Sequence, residues 1–255
     1  MFLTFFDLLR HFVICLGVVY LFYKFSDAKM DVVGGGRMSS EAIVKVSLIE
    51  LIADQVALWL KEKLSLEELE FLKIKLGLEV ILINLTKGLV VYGLAITLNV
   101  FSLTLILHGS YLLIRNKSYG LHANSSAMCT FMSVLLFVFI PLMIKNIILG
   151  PVFVSIIFLV AFWCLSKYAP ADTEKQPLIG AHNREKLRLQ ALRRCNGLYV
   201  IALLFATNRI GTMITFGVGI QIIFILPITY KLLKRSYCNY EKYEKECHEW
   251  NVEIN

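Results

Sequence analysis

The stretch from Leu76 to Ile114 is a single long run of predominantly apolar residues, and it constrains this chain more than any other feature. As one helix at about 1.5 Å per residue it would be nearly twice as long as the roughly 30 Å hydrocarbon core of a bilayer. Two short crossings fit it better. Further apolar blocks follow, separated by short polar stretches. Hydrophobic residues make up 57% of the 255-residue chain and charged residues only 18%, and its mean hydropathy is +0.67. A soluble domain of this length carries more charge. The expected fold class is therefore an all-α, polytopic integral membrane protein of about six transmembrane helices. The formal net charge of +7 suits cytoplasmic loops and contact with anionic membrane lipid. No zinc-finger spacing or basic-aromatic motif accompanies it, so no nucleic-acid partner is expected.

Residues 1–37 hold a hydrophobic segment, cleanest from Phe12 to Phe25, and a linker at Gly34-Gly35-Gly36. Asp7 spoils the basic start of a signal peptide, and no small-x-small cleavage site follows. Two readings stay open: an extra hydrophobic helix, or an over-long start with Met30 and Met38 as later initiation points. Residues 39–75 carry Glu41, Lys45, Glu50, Asp54, Lys61 and Glu62 at helical spacing. Amphipathic helices lying on a membrane, or packed on the protein's own core, are both consistent with that pattern. Ser65-Leu66-Glu67-Glu68 reads as a capping box that opens a second short helix. Lys87 falls inside the long apolar run, where a lysine must face protein, water or the interface.

Phe131–Leu149 is the next expected crossing, with Pro141 as a kink, and Val152–Leu165 returns from it. A basic polar loop over 167–194 is expected on the cytoplasmic side. Leu198–Thr207 and Ile210–Tyr230 form a last hairpin, and residues 236–255 form a charged tail. Counting crossings back from the basic loop puts residues 115–126 on the cytoplasmic side as well.

That polar segment reads Gly120-Leu121-His122-Ala123-Asn124-Ser125-Ser126-Ala127-Met128-Cys129. A cysteine nucleophile acts as its thiolate and needs a base, most often a histidine. On one continuous helix His122 and Cys129 would share a face but stand about 10.5 Å apart along the axis. With Ser125 or Ser126 as N-cap of the following helix, Cys129 falls in its first turn or just beyond it. The helix N-terminus then favours the thiolate, and His122 lies in a loop that can fold back on the sulfur. The other cysteines ask for less. Cys15 and Cys164 lie in apolar runs, and Cys238 with Cys247-His248 lacks a second ligand pair at zinc spacing. No metal and no cofactor is expected.

The same residues resemble the signature of the accessory gene regulator protein B (AgrB) family of membrane cysteine peptidases, His-Ala-x-Ser-x-x-x-Cys, here His122 through Cys129. The likeness extends to Phe71-Leu72-Lys73-Ile74-Lys75-Leu76-Gly77, to Tyr168-Ala169-Pro170-Ala171-Asp172-Thr173 and to Leu226-Pro227-Ile228. It covers about residues 40–235, and suggests a peptidase domain over 38–235. The chain departs from the family pattern in residues 1–37, in a less lysine-dense central loop, and in Tyr119-Gly120 where a glycine pair is usual.

The resemblance implies Cys129 as nucleophile and His122 as base, with Ser125 and Ser126 as supporting residues. It implies cleavage of a quorum-sensing peptide precursor through an acyl-enzyme thioester, followed by closure of a thiolactone. It also implies a precursor with an amphipathic helix and an acidic tail as partner, a homodimer, and a multi-pass location in the cell membrane with the active site on the cytoplasmic side. The rival expectations are a peptide exporter using Lys87, Lys145 and Arg209 as pathway charges, or a non-catalytic membrane scaffold.

Overall fold

The computed structural model describes residues 29–33, 43–65, 67–121, 126–173 and 177–244. The hydrophobic segment within 1–28, the glycine linker and residues 245–255 lie outside these residues. The described chain is largely helical, with one departure from the all-α expectation. Strands β1 (Lys29–Val33) and β2 (Ile43–Ser47) pair antiparallel, with Lys29 opposite Ser47 and Val33 opposite Ile43. The β-branched Ile43, Val44 and Val46 suit a strand better than the amphipathic helix expected from residue 39 onward.

The chain divides into two compact units, one comprising residues 1–98 with 124–134, the other 99–123 with 135–255. In the first, β2 leads directly into α1 (Leu48–Leu64), and α2 (Glu68–Thr97) follows. The two helices form a hairpin. Lys61 pairs with Glu68 at 2.6 Å and Lys75 with Asp54 at 2.7 Å. Ala53 and Ala57 are fully buried, so the helices meet at small side chains. Lys61 also lies 4.7 Å from the centroid of the buried Phe71 ring. Helix α4 (Ser126–Val134) packs on α2. The expected short helix at Ser65–Glu68 is instead the start of a 30-residue helix, whose N-cap Glu67 makes no side-chain capping bond. Continuous helical propensity through 68–75 and the apolar run beyond leave nothing to stop it.

The long apolar run does divide in two. Asn99 takes φ 55° between α2 and α3 (Phe101–Ser118), which begins the second unit. There follow a π-helical turn (Leu135–Phe139), α5 (Ile140–Ile144), α6 (Gly150–Tyr168), α7 (Ala181–Leu204), α8 (Arg209–Ile225) and α9 (Pro227–Leu232). The expected Pro141 kink is realised as the π turn just before it. The wider turn accommodates a proline that cannot donate to the helical ladder. Residues 167–194 are not all loop: α7 starts at Ala181 and carries the charged sequence into the apolar one without a break.

Helices α3 and α8 make the most extensive contact of this unit. They approach so closely that a Cβ on Gly217 would lie 2.4 Å from the Leu107 carbonyl oxygen. Around them α6, α7 and α8 pack on one another, burying Phe158, Leu165, Leu198, Val218 and Ile225.

Among the described residues, two helices, α2 and α6, are long and apolar enough to cross a membrane, and Met128–Ile144 and Arg209–Ile225 are shorter apolar helices. Both long helices are apolar on their exposed faces. In α2, Leu69, Leu76, Ile81, Leu85 and Leu89 are exposed, and in α6, Val152, Phe153, Leu159 and Trp163 are exposed. Such contiguous apolar surface is costly in water and suits lipid.

Candidate functional site

Cys129 is the fourth residue of α4, a free thiol of intermediate exposure. Its neighbours Met128 and Thr130 are exposed and fully buried respectively, so Cys129 lies on the boundary between the helix's buried and open sides. One turn later the Ser133 hydroxyl donates to the Cys129 carbonyl at 2.8 Å. Ser126 opens the helix. His122 and Ser125 lie outside the described residues.

What is described is how the chain enters the His122 segment, and it is held on three sides. Helix α3 ends at Ser118, and residues 119–121 leave it as a short strap, with Tyr119 at φ 55°. Tyr119 pairs as a parallel bridge with Ala171 of the central loop. The Gly120 N–H donates to the Ala171 carbonyl and the Ala171 N–H to the Ser118 carbonyl, both at 2.9 Å. On the other side the Leu121 N–H donates at 3.2 Å to the Phe224 carbonyl near the end of α8. That carbonyl belongs to the last helical turn, where no partner within the helix remains, so the strap and the helix satisfy each other. Gly120 has φ +121°, and a Cβ there would lie 3.0 Å from the Phe224 carbonyl oxygen. Both the backbone conformation and the close approach demand glycine.

Two polar side chains fix this strap. The Gln221 amide donates to the Ser118 hydroxyl at 2.8 Å and to the Tyr119 carbonyl at 2.6 Å. Arg115 donates through Nη2 to the Leu121 carbonyl at 2.8 Å. Its guanidinium lies beside two rings that meet each other edge to face, with centroids at 5.5 Å for Tyr111 and 5.8 Å for Phe224. Among the described residues, Arg115 Nη1 and Gln221 Oε1 are buried with no hydrogen-bond partner. A donor and an acceptor left so are costly in a folded core.

The central loop is fastened in turn by the C-terminal segment. The buried Asp172 carboxylate accepts the backbone N–H groups of Asn239 at 3.1 Å and Tyr240 at 2.7 Å, capping a last helical turn over 240–244. The Tyr230 hydroxyl donates to the Asp172 carbonyl at 2.9 Å. Arg184 pairs with Glu244 and stacks 3.8 Å from the centroid of Tyr240. Donating to the Glu244 carboxylate holds the guanidinium charged more firmly than usual. Burial pushes the thiol of nearby Cys238 above its ordinary range, so it is a poor source of thiolate at neutral pH.

Sequence reasoning missed Arg115, Gln221 and Asp172 as the residues that hold the strap ahead of His122 and its neighbouring loop. In the sequence Arg115 is only a charge at the end of an apolar run. Gln221 has a signal, since it is a polar residue in the apolar run 210–230, where such a group needs a reason. Asp172 stands in the family-like stretch Tyr168–Thr173, but nothing local marks it as the residue that fastens the C-terminal segment.

Fold and site together define a helical protein with two helices able to cross a membrane and a half-exposed cysteine early in a helix. The comparisons with known proteins narrow this. The family model Accessory gene regulator B matches residues 53–225. The chain is 42% identical to an AgrB-like protein of Listeria innocua over 205 residues, which is 80% of this chain and all of that protein. It is 37% identical to an AgrB-like protein of Clostridium acetobutylicum over 201 residues, covering 79% of this chain and 96% of the relative. To the accessory gene regulator protein B of Staphylococcus epidermidis it is 35% identical over 183 residues, 72% of this chain and 93% of that one. No solved structure matches. The chain belongs to the accessory gene regulator B family, as its sequence signature led one to expect.

Proposed function

We propose that this protein is a multi-pass membrane cysteine endopeptidase that matures a quorum-sensing peptide precursor. The observation that carries the reading is Cys129 itself: a free, half-exposed thiol in the fourth position of α4, seven residues after His122 in the family's motif. It lies one turn from the start of that helix. Ser125 and Ser126 support that start.

In the reaction, His122 takes the Cys129 proton and Sγ attacks the scissile carbonyl carbon. The C–N bond breaks, and the C-terminal fragment leaves with the imidazolium proton on its new amine. The N-terminal fragment remains on Sγ as a thioester. An internal thiol of the precursor, deprotonated by His122, then attacks the same carbonyl and displaces Sγ, closing a thiolactone and returning Cys129. One thioester replaces another, so this second step needs no outside energy. A site shielded from water at the cytoplasmic membrane surface favours ring closure over hydrolysis.

The precursor brings an amphipathic helix for the membrane and an acidic tail for the basic residues of 167–194. Such charge matching speeds encounter more than it tightens binding. About six crossings, with residues 38–235 as the peptidase domain and a homodimer as the working form, complete the reading.

The test is reconstitution of the full chain in liposomes with the precursor encoded beside its gene, read by mass spectrometry. Wild type should yield both fragments and a peptide adduct on Cys129. Cys129→Ala and His122→Ala should each lower cleavage by at least about a thousandfold. Undiminished cleavage by Cys129→Ala would remove the nucleophile and leave an exporter or scaffold in its place.

A further inference from the structure

A cavity of about 290 Å³ opens between the end of α6, the central loop and the C-terminal segment. Lys167, Tyr168, Arg184, Arg188, Tyr237 and Tyr240 line it, with Asp172 at its base. The charges facing it do not balance. Both carboxylate oxygens of Asp172 are taken by the N–H groups of Asn239 and Tyr240. Arg184 is answered by Glu244. Lys167 and Arg188 pair with no carboxylate among the described residues: Arg188 Nε donates to the Ala169 carbonyl at 2.9 Å, and the Lys167 ammonium lies over the Trp163 and Tyr168 rings. Two cations thus stand beside a polar hollow rimmed by tyrosine rings.

The position of the hollow indicates which anion it suits. Helix α6 has 19 residues, about 28 Å at 1.5 Å per residue, which matches the hydrocarbon core and sets its two ends at the interfaces. The cavity begins at the C-terminal end of that helix. One turn earlier Trp163 is 57% exposed, and Trp163, Tyr168 and Lys167 together form the aromatic and basic belt found at headgroup level. The volume is at the small end of ligand pockets, which run from roughly 300 to 1,000 Å³. It admits a headgroup rather than a folded peptide segment.

We propose that this cavity binds the phosphodiester headgroup of an anionic phospholipid, with Lys167 and Arg188 meeting the phosphate and the tyrosines walling it. The proposal rests on α6 being a membrane span, but not on the peptidase chemistry. A bound headgroup would brace Ala169–Asp172, the loop that pairs with Tyr119 and Gly120 ahead of His122, so lipid composition would reach the catalytic segment through two hydrogen bonds.

The test is native mass spectrometry of the full chain released from nanodiscs of phosphatidylcholine containing a minor share of phosphatidylglycerol. Wild type should retain one phosphatidylglycerol in preference to phosphatidylcholine. A basic residue near the surface contributes about a fivefold factor for an anionic lipid, so Lys167→Gln should cost about fivefold and Lys167→Gln with Arg188→Gln about twenty-fivefold. Arg188→Lys should keep most of the retention. Thermal unfolding of the wild type in detergent gives a second measure that needs no variant. Phosphatidylglycerol should raise its melting temperature, whereas phosphatidylcholine, inorganic phosphate and an acidic hexapeptide should not. Equal retention of the two lipids, or unchanged retention in the double variant, would overturn the proposal. Stabilisation by the hexapeptide alone would assign the cavity to a peptide, and by inorganic phosphate alone to a free ion. A chain that does not enter nanodiscs would reject the span, whereas one that enters without lipid preference would reject only the cavity.

Discussion

Arg115 holds the carbonyl of Leu121, the residue before His122, while its guanidinium lies beside the adjoining Tyr111 and Phe224 rings. The delocalised guanidinium presents several N–H donors in a fixed fork, so one group serves the carbonyl and the rings at once. A lysine keeps the charge but offers a point ammonium in place of the planar fork. Arg115→Lys should therefore destabilise the protein by about 2 kcal/mol, the size of a charged hydrogen bond with a partly desolvated cation–π contact. Cleavage should also fall, because the strap before His122 loses an anchor. An unchanged melting temperature in detergent would show that these contacts carry no load. Gln221 works on the same strap from α8, and it is a better reason for a buried amide in an apolar helix than packing alone.

Among the elements, α3 and α8 matter most, because one leads into the strap and the other supplies Phe224 and Gln221 to hold it. Their spacing is set by Gly217, whose absent side chain lets the Leu107 carbonyl approach. Small residues at helix contacts are the usual means of close approach in lipid, where no hydrophobic force drives helices together. Gly217→Ala should cost about 1–3 kcal/mol, the usual range for overpacking, and Gly217→Leu should prevent recovery of folded protein. Gly219, where an added Cβ would meet nothing within 4 Å, is the control, and Gly219→Ala should melt close to wild type. If the two alanine variants melted alike, the close contact would not be what fixes the helix pair.

At the scale of the whole molecule, the last described residues are tied to the middle of the chain. Asp172 caps the turn at 240–244, and Arg184 binds Glu244. Asp172→Ala removes two charge-assisted bonds at a buried site, a loss of about 2–4 kcal/mol. Hydrogen exchange should then speed up at the Asn239 and Tyr240 amides, and at Gly120 through Ala171. Protection unchanged at all three would show that the tail is not fastened through this carboxylate. The exposed apolar faces of α2 and α6 belong to this scale too, since they are compatible with a bilayer around the fold.

The sequence by itself determined the apolar helical class, the division of the long run into two helices, and the family through its His122–Cys129 signature. These rest on local information: hydropathy over a turn or more, and residue identity at short spacing. It did not reveal the β1–β2 ribbon, the unbroken start of α2 or the early start of α7, where neighbouring segments compete for the same residues. The strap was beyond its reach altogether. Arg115, Ala171, Gln221 and Phe224 are far apart along the chain and meet only because α3, α8 and the central loop pack together. Hydrogen bonds between such distant residues leave no periodic trace, so only the tertiary structure decided which polar groups hold the approach to His122.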